Sequence, residues 1–209
     1  YGDHRDLHYP LRRQRQMCIR DSYYIMPIQT PICDFGQKAH DFKLKSTDSK
    51  ILSLDDLKGE NGTLIMFICN HCPYVKAITK DIVEDTNKLK DFGINSVAIC
   101  ANDPQNYPED SFENMIVFAK KNQFNFPYLV DETQEVAKTF DAVCTPDFFG
   151  YNKNLNLQYR GRLRELKNLI PIRDGESDLY KAMKLISETG KGPDQQMPSA
   201  GCSIKWKNN

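Results

Sequence analysis

One junction limits the folds open to this chain more than any other. Thr63–Cys69 (TLIMFIC) is a short continuous apolar run, and Cys69-Asn70-His71-Cys72-Pro73 closes it. An uninterrupted run of that length reads as a strand buried on both faces. From Pro73 the apolar period turns helical. Val75, Ile78, Ile82, Leu89 and Phe92 share one face, lysines and acids take the other, and Gly93 is the stop. A buried strand that runs straight into an amphipathic helix demands a layered α/β domain, with the helix lying on the sheet.

The flanking segments agree with that layering. Asp41–Lys45 and Lys50–Leu54 alternate around Ser46–Ser49 and predict a β-hairpin. Ile94–Ala101 reads as a second buried strand. Glu109–Asn122 reads as a helix with Phe112, Met115, Ile116 and Ala119 inward. Phe126–Val130 reads as a strand, and Asp131 as the cap of a short helix ending at Phe140. Asp147–Tyr151 and Leu155–Arg160 predict a hairpin, and Ser177–Thr189 a last amphipathic helix stopped by Gly190 and Pro193. The tail from Gly190 to Asn209 reads as irregular and polar apart from Ile204 and Trp206.

The first 22 residues do not fit this pattern. They are arginine-rich, lack apolar periodicity and hold no signal-peptide core. Arg12–Asp21 and Tyr1–His8 both back-translate to parts of a sequencing adapter, so Tyr1–Ser22 is read as non-native, disordered sequence. The expected organisation is a single domain over residues 23–190, with a tail, 191–209, packed on it. The whole chain carries 28 basic and 28 acidic side chains. Without the five arginines and three aspartates of the first 22 residues, the balance is net −2. That argues against nucleic acid as a partner, and no apolar run approaches the ~20 residues needed to cross a bilayer. Met26 as the native start would imply the cytoplasm. A lost upstream segment would leave an exported, periplasmic protein open.

Seven cysteines are an odd number, but Cys18 falls in the excluded segment. Of the remaining six, only Cys69 and Cys72 stand close together. Two intervening residues let the sulfurs close a small disulfide ring. On this reading Cys69 lies at or just before the helix N-terminus, where unpaired N–H groups and the helix dipole lower its pKa below the free value of ~8.5. Cys72, one turn further in, suits the resolving role. His71 can donate to the Cys69 thiolate or place positive charge beside it. Half of a zinc site and an inert pair are the alternatives. No second ligand pair has the spacing for zinc, because Cys33, Cys100, Cys144 and Cys202 stand singly. A cofactor motif is absent, and thiol exchange needs none. The second notable feature is Cys144-Thr145-Pro146, directly before the Asp147–Tyr151 strand.

Strand, C-x-x-C-P, helix, then Thr-Pro ahead of a hairpin and a last helix resembles the thioredoxin fold: a central mixed sheet flanked by helices. The lead-in DFKLKSTDSKILSLDDLKG resembles the redoxin branch, the alkyl hydroperoxide reductase/thiol-specific antioxidant superfamily. CNHCPYVKA and PSAGCSIKWK resemble the peroxiredoxin-like members with a C-N-H-C-P motif. The resemblance implies an N-terminal β-hairpin and a redoxin-type insertion around Glu109–Val130. It also implies that Pro146 is a cis-proline facing the cysteine pair, and that Thr145 offers its backbone to an extended substrate strand.

The implied activity is thiol–disulfide exchange, with a protein or small-molecule disulfide as substrate and a thioredoxin-type thiol donor as partner. The alternatives are an antioxidant thiol peroxidase and a non-catalytic metal-binding protein built on Cys69, Cys72 and either His71 or Cys144. The peroxidatic pattern P-x-x-x-[ST]-x-x-C is not met. Counting back from Cys72 reaches Cys69 and Ile65; from Cys69, it reaches Met66 and Gly62. The arginines Arg160, Arg162, Arg164 and Arg173 all lie beyond the Thr145-Pro146 loop. Cys144 and Cys202 are possible accessory thiols. Cys33, Cys100 and His40 read as structural or surface residues.

Overall fold

The computed structural model describes residues 27–31 and 35–207, so Tyr1–Ser22, Met26 and Cys33 lie outside the described residues. The central layer is a seven-stranded mixed sheet. In chain order its strands are β2 (Lys43–Ser46), β3 (Ile51–Ser53), β4 (Gly62–Phe67), β5 (Ile94–Cys100), β6 (Tyr128–Val130), β8 (Asp147–Asn152) and β9 (Leu157–Gly161). Their order across the sheet is β3-β2-β6-β5-β4-β8-β9. β4, β5 and β6 run parallel, and antiparallel pairs extend the sheet on both sides. The hairpin expected over Asp41–Leu54 is β2–β3. Its last residue, Ser53, caps the single turn α1 (Leu54–Leu57) through a reciprocal pair of hydrogen bonds with Asp56.

Helices cover both faces of the sheet, which is why β4 reads as one unbroken apolar run. Leu64 and Met66 face one core with Val75, Ile78 and Ile82 of α2 (Pro73–Leu89) and Met183 and Ile186 of α5 (Asp178–Thr189). Ile65 and Phe67 face the opposite core with Val97, Ile99, Leu129 and Phe149. Such fully buried side chains are expensive to truncate, at about 2–5 kcal/mol for Leu or Ile to Ala. α2 ends in a short 3₁₀ turn and Gly93, whose φ of 70° is left-handed and suits glycine. The polar side of α2 is not wholly solvated. Asp81 and Asp85 are buried, Asp81 against Arg164 and Arg173, and Asp85 against the Ser177 hydroxyl.

Several boundaries differ from the sequence reading. The helix expected over Glu109–Asn122 begins only at Phe112, as α3 (Phe112–Lys121), with Ser111 as its cap. Met115 points inward but Ile116 is exposed. Asp131 is not the cap residue of α4 (Glu135–Thr139); its carboxylate accepts from Ala137 N–H at 2.8 Å from outside the helix. The tail is not irregular throughout. β12 (Ala200–Ser203) is the middle strand of a second small sheet, between β1 (Ile28–Gln29) and β7 (Cys144–Thr145). A two-stranded ribbon, β10 (Leu166–Lys167) and β11 (Ile170–Pro171), precedes α5. No helix among the described residues is long and apolar enough to cross a membrane.

Candidate functional site

Both cysteines lie between the end of β4 and the start of α2, and the helix begins where its apolar period does. It starts at Pro73, with Cys72 as its N-cap residue. Proline suits this first helical position, where the missing N–H has no intrahelical partner to lose. Asn70 and His71 form a bend ahead of the helix. Cys72 therefore holds the helix N-terminus that the sequence reading gives to Cys69, and Cys69 sits a bend earlier. Both sulfurs are fully buried.

The loop that leads into β8 closes over the pair. The Thr145–Pro146 peptide is cis. The Cys72 thiol donates to the Thr145 carbonyl at 3.1 Å, and Cys69 Sγ lies 3.3 Å from Thr145 Oγ1. Thr145 thus touches both cysteines from across the sheet. Its outward backbone edge is not free for a substrate strand, as the resemblance implied. β12 already occupies it, with Cys202 opposite Thr145 and Ser203 opposite Cys144.

A polar network surrounds Cys69. The Asp110 carboxylate accepts from Asn70 N–H at 2.7 Å, His71 N–H at 3.2 Å and Asn102 Nδ2 at 2.7 Å. His71 Nδ1 lies 2.6 Å from the same carboxylate and 3.9 Å from Cys69 Sγ. That nitrogen's proton is committed to Asp110. Of the two roles read from the sequence, His71 is therefore better placed to set positive charge beside Cys69 than to donate to it. The ring also stacks on Tyr107, with centroids 5.4 Å apart. Tyr128 donates its hydroxyl to Asn70 Oδ1 at 3.1 Å from below.

These surroundings set the charges. The hydrogen bond to Asp110 raises the His71 pKa, against the opposing pull of partial burial. Burial pushes the Asp110 carboxyl up, but its bonds from His71 and Asn102 hold it below the ordinary carboxylate value. The Cys69 thiol is raised well above its usual value. It donates to Cys72, it is buried, and it faces the Asp110 charge. Cys72 moves the other way. Hydrogen bonds from the Cys202 and Cys69 thiols lower its pKa strongly, overcoming burial. The helix N-terminus favours an anion at the same place. The two opposite shifts make Cys72 the more acidic thiol of the pair.

The other thiols differ among themselves. Cys144 donates to the Pro146 carbonyl at 3.6 Å, and burial pushes its pKa up. Cys100 is buried within β5 and is pushed up to about 12, chiefly by that burial. Cys202 touches Cys72. The donor atoms of Cys69, His71 and Asp110 lie within 4.8 Å of one another, although the short His71–Asp110 bond already joins two of them. The arginines are engaged elsewhere. Arg160 pairs with Asp147 at 2.9 Å in the interior, Arg162 with Asp178, and Arg164 and Arg173 with Asp81. Asp110, Asn70, Asn102 and Tyr128 escaped the sequence reading. Asp110 lies 39 residues from His71, and no local pattern marks it as a partner.

A groove of about 420 Å³ opens next to the pair at Tyr74 and Pro146, walled further by Ile78, Leu163, Arg162 and Arg164. The structural comparisons agree with the architecture. An uncharacterized conserved protein from Geobacillus kaustophilus superposes with a TM-score of 0.83 at 41% identity, over 88% of this chain and 97% of that one. A hypothetical protein from Sinorhizobium meliloti 1021 gives a TM-score of 0.80 at 32% identity, over 87% and 99%. A thiol:disulfide interchange protein of the thioredoxin family from Chlorobium tepidum gives 0.57 at 18% identity, over 75% and 99%, a likeness of fold alone. No curated protein matches significantly in sequence. Residues 35–165 match the family model described as the AhpC/TSA family.

Proposed function

The chain belongs to the AhpC/TSA family, and from that premise we propose that it is a thiol–disulfide oxidoreductase working through Cys69 and Cys72. The observation that carries the reading is the pair itself: two buried thiols, both held against Thr145, with their acidities shifted in opposite directions. Cys72, as the thiolate, attacks a disulfide sulfur. The substrate's S–S bond breaks, one substrate thiolate leaves, and a mixed disulfide forms on Cys72. Cys69 then loses its proton and attacks the Cys72 sulfur. The second substrate thiolate departs with that proton, leaving a Cys69–Cys72 disulfide for a thiol donor to reduce.

Cys72 is fully buried, so the reaction includes a local opening beside half-buried Tyr74, which lines the neighbouring groove. The occupied edge of Thr145 favours a small disulfide, or a protein disulfide that reaches in by side chain alone, over an added substrate strand. The peroxidase alternative draws less support. The charged clamp on a peroxide would have to come from arginines that are already paired to carboxylates, including Arg162 and Arg164 in the groove itself.

The test uses glutathione disulfide and peptide mapping. The wild-type protein is expected to accumulate a Cys69–Cys72 disulfide and to release two glutathiones for each disulfide formed. A Cys69→Ser, Cys202→Ser double variant is expected to stop with glutathione on Cys72. Failure of Cys72 to take up glutathione in that variant, with no Cys69–Cys72 disulfide in the wild type, would overturn the reading.

A further inference from the structure

The strand that covers the Thr145 edge carries a thiol to the site. β12 pairs antiparallel with β7, setting Cys202 directly across from Thr145, whose carbonyl accepts from Cys72. Cys202 and Cys72 lie in the same buried core cluster, close enough for each thiol to shift the acidity of the other. Cys72 is therefore flanked by two sulfurs, Cys69 from its own loop and Cys202 from the C-terminal strand.

Cys202 is fixed in place rather than carried on a loose arm. Gly201 has no room for a side chain, since a Cβ there would come 2.1 Å from the Thr145 carbonyl oxygen. Ser199 Oγ donates to the Pro146 carbonyl at 2.6 Å. Beyond Cys202, Ile204 is buried in the second core. Lys205 N–H donates to Asn102 Oδ1 at 2.9 Å, and its carbonyl accepts from Asp103 N–H at 2.9 Å. On the outer side β1 pairs with β12 at Gly201 and Ala200.

We propose that Cys202 is a third redox thiol that forms a second disulfide with Cys72, giving the protein two alternative exits from one attacking sulfur. The inference rests on the thiol-exchange reading above. The step balances. With Cys72 joined to a substrate sulfur, the Cys202 sulfur gives up its proton and attacks Cys72. The Cys72–substrate bond breaks, and the substrate thiolate leaves with that proton. The product is a Cys72–Cys202 disulfide, with Cys69 still reduced. From a Cys69–Cys72 disulfide, the same attack frees the Cys69 thiol instead. Two protein thiols are oxidised in either case, and one substrate disulfide is reduced to two thiols.

The high pKa of Cys202 does not oppose this, because it arises first from donation to the Cys72 thiolate. Once Cys72 carries a substrate sulfur, that acceptor is gone, and the nearby Lys205 ammonium continues to favour the Cys202 anion. Cys144 and Cys100 are not equivalent candidates, since their thiols are held up by burial foremost.

The decisive comparison is the single Cys69→Ser variant against the Cys69→Ser, Cys202→Ser double variant, each treated with glutathione disulfide and mapped by mass spectrometry. The single variant is expected to lose the bound glutathione and end as a Cys72–Cys202 disulfide. The double variant is expected to keep glutathione on Cys72. If the single variant keeps glutathione on Cys72 to the same extent as the double, the inference falls while the thiol-exchange reading stands. If Cys72 takes up no glutathione in either, the thiol-exchange reading falls with it. The wild-type protein supplies a check that needs no substitution at Cys69. Under limiting glutathione disulfide it should show Cys72 bonded to both Cys69 and Cys202, and Cys202→Ser should abolish only the second species. Wild-type protein showing Cys72 bonded to Cys69 alone, at every degree of oxidation, would also overturn the proposal.

Discussion

Cys69 and Cys72 belong to one five-residue motif but look into opposite environments. Cys69 faces a closed acidic pocket, where Asp110 gathers four hydrogen bonds and His71 spends its Nδ1 proton on the carboxylate rather than on sulfur. Cys72 faces the helix N-terminus, the Thr145 carbonyl and a second thiol brought in by the tail. A negative charge beside the first sulfur, and a helix N-terminus and a neighbouring thiol beside the second, push their acidities apart. A C-x-x-C spacing brings the two sulfurs together. The surrounding side chains decide which of them carries the charge.

The comparison breaks most decisively at Cys72. Cys72→Ala should reduce turnover of glutathione disulfide to the uncatalysed rate, while Cys69→Ala should still be oxidised at Cys72, as the glutathione adduct or as the Cys72–Cys202 disulfide that follows it. Mass mapping after a single turnover reads both, and the reverse pattern would move the attacking role to Cys69.

A smaller but still large effect is expected at the strand that supplies the second thiol. Gly201→Val forces β12 away from Thr145 and should cost about 1–3 kcal/mol by overpacking, measured by urea unfolding. It should also raise the apparent Cys72 pKa, because Cys202 moves off. A rate of iodoacetamide alkylation at Cys72 whose pH profile does not shift would show that the tail does not tune this sulfur.

On the other side of the pair, Asp110→Asn should lower the Cys69 and His71 pKa values together and cost about 1–3 kcal/mol for the disturbed buried bonds. The pH dependence follows from the two shifts. The contribution of His71, whose folded pKa is raised, is complete below its unfolded value of ~6.5 and disappears as pH rises through the folded value. That of Asp110, whose folded pKa is lowered, is present above its unfolded value of ~3.9 and disappears as pH falls through the folded value. The wild-type advantage over Asp110→Asn should therefore shrink at both acidic and alkaline pH. An advantage that is flat with pH would mean the ion pair adds nothing.

The smallest effect is expected at Cys100. With its thiol pushed up to about 12 inside β5, it should resist iodoacetamide in the folded protein at neutral pH, and Cys100→Ala should leave turnover unchanged within twofold or so, since no reacting sulfur depends on it. Mapping of alkylated peptides before and after unfolding checks the first expectation.

Much of the frame was legible in the chain because it rests on local periodicity. The run Thr63–Cys69 foretold the central strand, and the stripe Val75, Ile78, Ile82, Leu89 foretold the face α2 buries. Ser177 and Gly190 marked both ends of the last helix. The site was legible only in part. Cys69, Cys72, Thr145 and Pro146 carried recognisable motifs, but the N-terminus of α2 at Pro73 was credited to Cys69 rather than to Cys72. Asp110 and β12 gave no such signal. A lone carboxylate in a loop looks like any solvated acid, and a four-residue strand with glycine at its centre has no alternating pattern to betray it.

The sequence by itself determined a layered α/β fold and a pair of neighbouring cysteines, because strand and helix periods and the C-x-x-C spacing are properties of adjacent residues. Only the tertiary structure decided which cysteine is the more acidic and that a third thiol lies beside it. Both depend on contacts across separations of 39 residues, from His71 to Asp110, or far more, from Cys72 to Cys202. Thiol acidity is set by whatever the fold packs within a few ångströms of sulfur, wherever along the chain it comes from.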